Sequence, residues 1–290
     1  MQKRVVAVVV VGLTATVVAV TAATRDGGSE EQELAESLEA LVEAGMPGAL
    51  VRIREGDGTI ELARGEASPG IRFRVASLTK TFVAALTLRL ADRGILSLDD
   101  PVDAYLPGLL HAGDRITIRR LLNHTAGLFD YTGDPELLRG ELSPRALIRI
   151  AERRERTTGY AYSSTNYLVL GLVLEKATGT PLGELLHREV FQPFGLDDTT
   201  FEAGRVDGPH LHGHALATRD GVATGSLHDT SERPATSAWA AAAVVSTAAD
   251  LERFMRVLAT SELAERMAPP EGARYGLGLG RAQLPCGPAL

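Results

Sequence analysis

Ser77 and Lys80 lie three residues apart in the stretch RVASLTKTFVA, so on a helix the hydroxyl and the amine sit one turn from each other. An amine in that place can take the hydroxyl proton and leave a nucleophilic oxygen, provided the amine is neutral. Lysine is scarce here: of thirty basic residues only Lys3, Lys80 and Lys176 are lysines, and the rest are arginine. A structural role is the competing reading, with Ser77 as helix N-cap and Lys80 solvated in the first turn. Ser77 suits a cap. Lys80 suits it badly, because a capping box wants Glu or Gln at that position and a cation there opposes the helix dipole. Residues Thr81 to Leu88 offer it little polar surface. Burial and the dipole both push such an ammonium toward its neutral form, a change that arginine cannot make.

The pair needs a buried helix, and Ser77 to Arg93, closed by Gly94, supplies the pattern of one. Ser29 to Ala44 carries leucines at 34, 38 and 41 and predicts an acidic amphipathic helix. Gly48 to Arg54 and Thr59 to Gly65 alternate apolar and charged residues around EGDG and predict a β-hairpin. Helices are expected at Pro144 to Arg154, Asn166 to Ala177 and Leu182 to Val190, with Asn166 as an N-cap. The stretch 203–237 is expected to be a loop. A further helix should open at Ser246 or Thr247, and Tyr275 to Gly280 reads as a strand. Strands near both chain ends and helices between them predict an α+β fold, an antiparallel sheet flanked by helices with a mostly helical inserted region.

The chain has 290 residues, is 44% hydrophobic and carries a formal charge of -7, with no run of Lys or Arg, so nucleic acid is not an expected partner. Lys3 and Arg4 precede an apolar run from Val5 to Ala23. This is the pattern of an export leader, either cleaved near Val20-Thr21-Ala22 or kept as an N-terminal anchor, which would be the only membrane contact. The expected division is therefore 1–28, leader and spacer, and 29–290, one domain, monomeric, facing outward or into the cell wall. Cys286 is the only cysteine, so no internal disulfide, zinc ribbon or CxxC redox site can form.

Beyond VASLTK, the segments GILSLDDPVDAYLP, ITIRRLLNHTAGL, YAYSSTNYLVLGLVLEKATG and VVSTAADLERF follow in order. Together they resemble the serine β-lactamase and penicillin-binding protein family, in the branch of class C β-lactamases, exported D-alanyl-D-alanine carboxypeptidases and related esterases. The resemblance implies a β-lactamase/transpeptidase-like fold, Ser77 as acylated nucleophile and Lys80 as its base partner. Tyr162 matches the tyrosine of the family's second box, Tyr-x-Asn, which shares proton transfer with the lysine, partly as phenolate. Ser164 stands where the family has asparagine, and so would contact the substrate amide with a hydroxyl in place of a carboxamide. Asn166 could compensate, or simply cap its helix. The implied activity is a D-alanyl-D-alanine carboxypeptidase working on peptidoglycan stem peptides and acylated by β-lactams, without metal or organic cofactor. A β-lactamase or esterase of the same fold is the alternative, and a catalytically impaired family member another. The family's third box, Lys or His followed two residues later by Gly, is expected on a strand after YGLGL. No such box precedes Leu290, which implies a C-terminally truncated domain with an incomplete sheet.

Other patterns are weaker. His210, His212 and His214 alternate and would share one face of a strand, but no HExxH pattern or acidic partner makes them a metal site. Gly276-x-Gly-x-Gly280 lacks a following helix and is no dinucleotide loop, and no G-x-S-x-G occurs. Trp239 has no assigned role.

Overall fold

The helix at 29–44 and the hairpin at 48–65 fold as one layer on another. In the computed structural model, which describes residues 5–7, 27–134, 137, 142–219, 222–231, 235–284 and 287–289, helix α1 (Gly27–Glu43) packs on antiparallel β2 (Gly48–Glu55) and β3 (Gly58–Gly65). Alternation along β2 sorts its side chains: Ala49 and Val51 meet Leu34 and Leu38 of α1, while Leu50 turns to the main core. Arg52 leaves that face for Glu61 and Glu252. A three-residue strand β1 (Val5–Ala7) pairs antiparallel with Ala7 opposite Arg52 and Val5 opposite Arg54. The rest of the predicted leader, and Cys286, lie outside the described residues. Among the described residues no helix is long and apolar enough to cross a membrane.

The main core surrounds helix α2 (Thr79–Asp92), whose residues from Thr79 to Leu88 are all buried. Phe82 stacks on Phe254 at 3.9 Å between ring centroids and meets Phe191 edge-on at 5.7 Å. The predicted helix from Ser77 divides in two. Ala76–Leu78 form a single 3-10 turn, α2 begins at Thr79, and the chain leaves after Arg93 through Gly94 at φ +69°. Ser77 makes no side-chain cap, so the capping role does not hold.

Around α2 lie α3 (Ile118–Leu122), α4 (Pro144–Ala151), α5 (Ser164–Thr178) and α6 (Leu182–Leu186). The helix expected to run from Leu182 to Val190 loosens after Leu186 into a π-helical turn, His187–Phe191. A second small sheet has the order β4 (Phe73–Arg74), β8 (Val244–Ser246), β5 (Thr200–Phe201), all antiparallel. Between its strands in sequence comes α7 (Trp239–Ala242), and after it α8 (Ala248–Ala259), whose N-cap Thr247 accepts the Asp250 N–H, and α9 (Glu262–Met267).

The stretch expected as a loop at 203–237 contains a hairpin, β6 (His214–Arg219) with β7 (Val222–Asp229). Tyr275 to Gly280 is not a strand. It doubles back so that Tyr275 bridges Gly280, because Gly278 takes φ +84° to let its carbonyl accept the Thr81 hydroxyl at 2.9 Å. Beyond it β9 (Ala282–Leu284) and β10 (Gly287–Ala289) pair with each other. The architecture is the expected α+β fold of antiparallel strands and helices.

Candidate active site

Lys80 Nζ and Ser77 Oγ are hydrogen-bonded at 3.0 Å, and Nζ also donates to the Ala241 carbonyl at 3.0 Å. Ser77 is exposed while Lys80 is 1% exposed, so the hydroxyl opens to solvent and the amine does not. The turn carrying Ser77 is fixed from both sides: Val75 N–H donates to Val244 O at 3.0 Å, and Val244 N–H donates to the Thr79 hydroxyl at 3.0 Å. As the second residue of a one-turn helix, Ser77 also has an N–H without an intrahelical acceptor.

Burial lowers the Lys80 pKa from 10.5 to about 8, with the charge of Asp130 acting in the opposite direction. At neutral pH about a tenth of such an amine is therefore free base. The ring centroid of Tyr162 lies 5.1 Å from the same amine. Its pKa is raised, mainly by burial, against a hydrogen bond with Ser77 that lowers it. The phenol therefore stays protonated near neutrality. This differs from the expected partial phenolate and leaves the two groups with opposite capacities: the amine can accept a proton and the phenol can donate one.

Tyr162 packs on His124, a residue of the LLNHTAGL segment for which no site role is expected from the sequence. His124, fully buried, has Nδ1 3.1 Å from the Ser163 N–H and 3.1 Å from Asn166 Nδ2, and its carbonyl accepts the Ala161 N–H at 3.0 Å. Its ring lies 4.3 Å from that of Tyr162 and 4.8 Å from that of Tyr275. Burial, then the Lys80 charge, lower its pKa to about 3, so it stays neutral. Asn166 thus serves His124 and not a cap; the N-cap of α5 is Ser163. Ser164, the first residue of α5, is 5% exposed, and its N–H donates to Asp130 Oδ1 at 3.1 Å. The structure therefore gathers Ser77, Lys80 and Tyr162 and places Ser164 on the helix start immediately after them.

Strain collects here. Four non-glycine residues among those described have positive φ, and three of them adjoin the site: Ala76 before Ser77, His124, and Trp239 at the start of α7, whose Ala241 carbonyl holds Lys80. Gly171 lets α7 approach α5 this closely, since a Cβ there would stand 2.7 Å from the Trp239 ring and 2.8 Å from the Ala240 Cβ. Trp239 is thus a packing residue. The histidine triplet does not form a strand face: only His214 lies in β6, and His212 pairs with Asp229 at 2.7 Å. Among the described residues no group of three or more His, Cys, Asp or Glu is placed to hold a metal ion.

The family model described as Beta-lactamase matches residues 30–288. The chain belongs to the β-lactamase family. A solved relative, a D-stereospecific amidohydrolase from Streptomyces sp., superposes with a TM-score of 0.79 at 33% identity, over 91% of this chain and 85% of that one. Penicillin-binding protein 4* of Bacillus subtilis is 35% identical over 136 residues, 44% of this chain and 30% of that protein. Esterase EstB of Burkholderia gladioli is 35% identical over 219 residues, 63% of this chain and 56% of its own length. Matches to the curated relatives thus span from under a third to just over half of their length. The family is one of serine hydrolases acting by acyl transfer, and amide, ester and penicillin chemistry are all represented among these relatives.

Proposed function

We propose that this β-lactamase-family chain is an exported serine acyl-transfer hydrolase that cleaves the amide bond between two D-configured residues, as in the D-alanyl-D-alanine terminus of a peptidoglycan stem peptide. The observation carrying the proposal is the 3.0 Å bond between Ser77 and a lysine whose amine titrates near 8. The Streptomyces relative, described as D-stereospecific, supports the choice of configuration, and the penicillin-binding relative supports the choice of peptide. The basic and then apolar leader supports export.

In the proposed reaction Ser77 Oγ attacks the carbonyl carbon as its proton passes to Lys80 Nζ, and the carbonyl electrons move onto oxygen beside the Ser77 N–H. When the C–N bond breaks, the departing amine takes the Tyr162 proton, which Lys80 replaces. Water then attacks the acyl-serine by the reverse relay, releasing the acid and restoring the serine hydroxyl. The ester-cleaving relative supports a second reading, hydrolysis of small acyl esters by the same three residues.

Steady-state kcat/KM on a peptide ending in D-Ala-D-Ala, its L-Ala-L-Ala counterpart, a chromogenic cephalosporin and a p-nitrophenyl ester tests the proposal. The D-peptide is expected to be the best amide substrate. Equal rates on both peptides, or turnover of the ester alone, would remove the carboxypeptidase reading.

A further inference from the structure

A cleft of about 320 Å³ opens elsewhere on the surface and includes none of Ser77, Lys80 and Tyr162. It is lined by Arg145 and Arg149 of α4 and Lys176 of α5 together with Tyr105, Leu106 and Leu109. Lys176 is the second of the chain's lysines to be placed by the fold. All three cations are exposed, and among the described residues no carboxylate lies within ion-pair reach of any of them. Neighbouring acids are engaged elsewhere: Glu152 with Arg156, Asp134 with Arg154, and Glu175 with the Leu182 N–H.

Two of the cations have local reasons to be where they are. Arg149 and Lys176 occupy the last turns of their helices, where the dipole favours positive charge. Arg145 does not: it lies in the first turn of α4, which has no acidic residue. It stands one turn before Arg149 on the same side of the helix, so the two guanidinium groups face one cleft about 6 Å apart at their Cβ atoms. The ring of Tyr105 is held in place by its hydroxyl, which donates to Asp100 Oδ2 at 2.6 Å.

We propose that this cleft is a second binding site, for a small organic diphosphate whose two phosphates engage Arg145, Arg149 and Lys176 while its organic part lies on Tyr105 and Leu109. Guanidinium forks match phosphate oxygens in pairs, and the ammonium adds a third charge. The volume suits a small molecule and not a polymer.

Calorimetric titration of the full chain with adenosine diphosphate and with inorganic pyrophosphate, at physiological salt, tests the site. One saturable site is expected, tighter for adenosine diphosphate because Tyr105 and Leu109 add contact to its organic part. Arg149→Gln and Lys176→Gln should each weaken binding by about ten-fold, the loss of one charge-assisted contact. Arg115→Gln, a highly exposed cation outside the cleft, should leave it unchanged. None of the three touches the Ser77 centre, so hydrolytic turnover reports intact folding of each variant. Absence of saturable binding by both probes, or an equal loss in Arg115→Gln, would overturn the proposal.

Discussion

His124 Nδ1 accepts the N–H of Ser163 at 3.1 Å and lies 3.1 Å from Asn166 Nδ2, and these two contacts set the imidazole tautomer and the position of the residue next to Tyr162. An acceptor at Nδ1 requires the proton on Nε2, and the low pKa keeps the ring in that form. His124 does not touch the reacting atoms; it is a positioning residue.

His124→Leu removes the acceptor and strands a buried N–H, at a cost of about 1–3 kcal/mol. It should also lower kcat/KM on the order of ten- to a hundred-fold through displacement of Tyr162. His124→Asn is the conservative test, since its Oδ1 can take the place of Nδ1 and asparagine tolerates the φ of +58° at this position. Substantial recovery of kcat in the Asn variant is expected; equal loss in both would assign His124 a packing role only.

Lys80→Arg should be nearly as inactive as Lys80→Ala, both down by a factor on the order of 10²–10⁴, because a guanidinium holds its proton at any working pH. Measured turnover of the arginine variant near that of the parent would show that a fixed positive charge is all the site requires.

The same lysine makes stability depend on pH. Its pKa is about 8 in the fold against 10.5 as the ordinary value, so between those limits the unfolded chain binds more protons. Stability should therefore rise as pH increases from 8 to 10.5, by up to about 3 kcal/mol from this group, and be lost as pH falls back. Urea unfolding of the parent and of Lys80→Met across this range should show the parent gaining on the variant. Parallel curves would mean that the amine is not depressed.

Asp130 raises the Lys80 pKa through its charge while its Oδ1 accepts the Ser164 N–H. Asp130→Asn keeps an oxygen for that bond and removes the charge. The acid limb of kcat/KM should then move to lower pH, giving the variant a relative advantage below pH 7; a limb that stays in place would remove Asp130 from the tuning of the amine.

Ser77, Lys80 and Tyr162 were legible in the sequence because each belongs to a short local pattern whose order along the chain is itself a signature. The groups that tune and hold them were not. Asp130 and the Ala241 carbonyl reach the site only through tertiary packing, and the left-handed backbone at His124 and Ala76 has no glycine to announce it. The α1 and β2–β3 layer followed from periodicity, since one face of each is apolar. The β6–β7 hairpin did not, although Asp220-Gly221 between the two runs is a hairpin dipeptide that could have revealed it. The reversal at Gly278 looked like a strand because alternating leucine and glycine mimic a period of two.

The central claim is that a neutral Lys80 amine activates the Ser77 hydroxyl. It is tested most directly by the rate of covalent acylation of Ser77 by a fluorescent penicillin, followed by intact-protein mass against pH. The rate should climb with an apparent pKa near 8 and be absent in Ser77→Ala. A profile flat from pH 6 to 9, or an adduct that persists in Ser77→Ala, would contradict it.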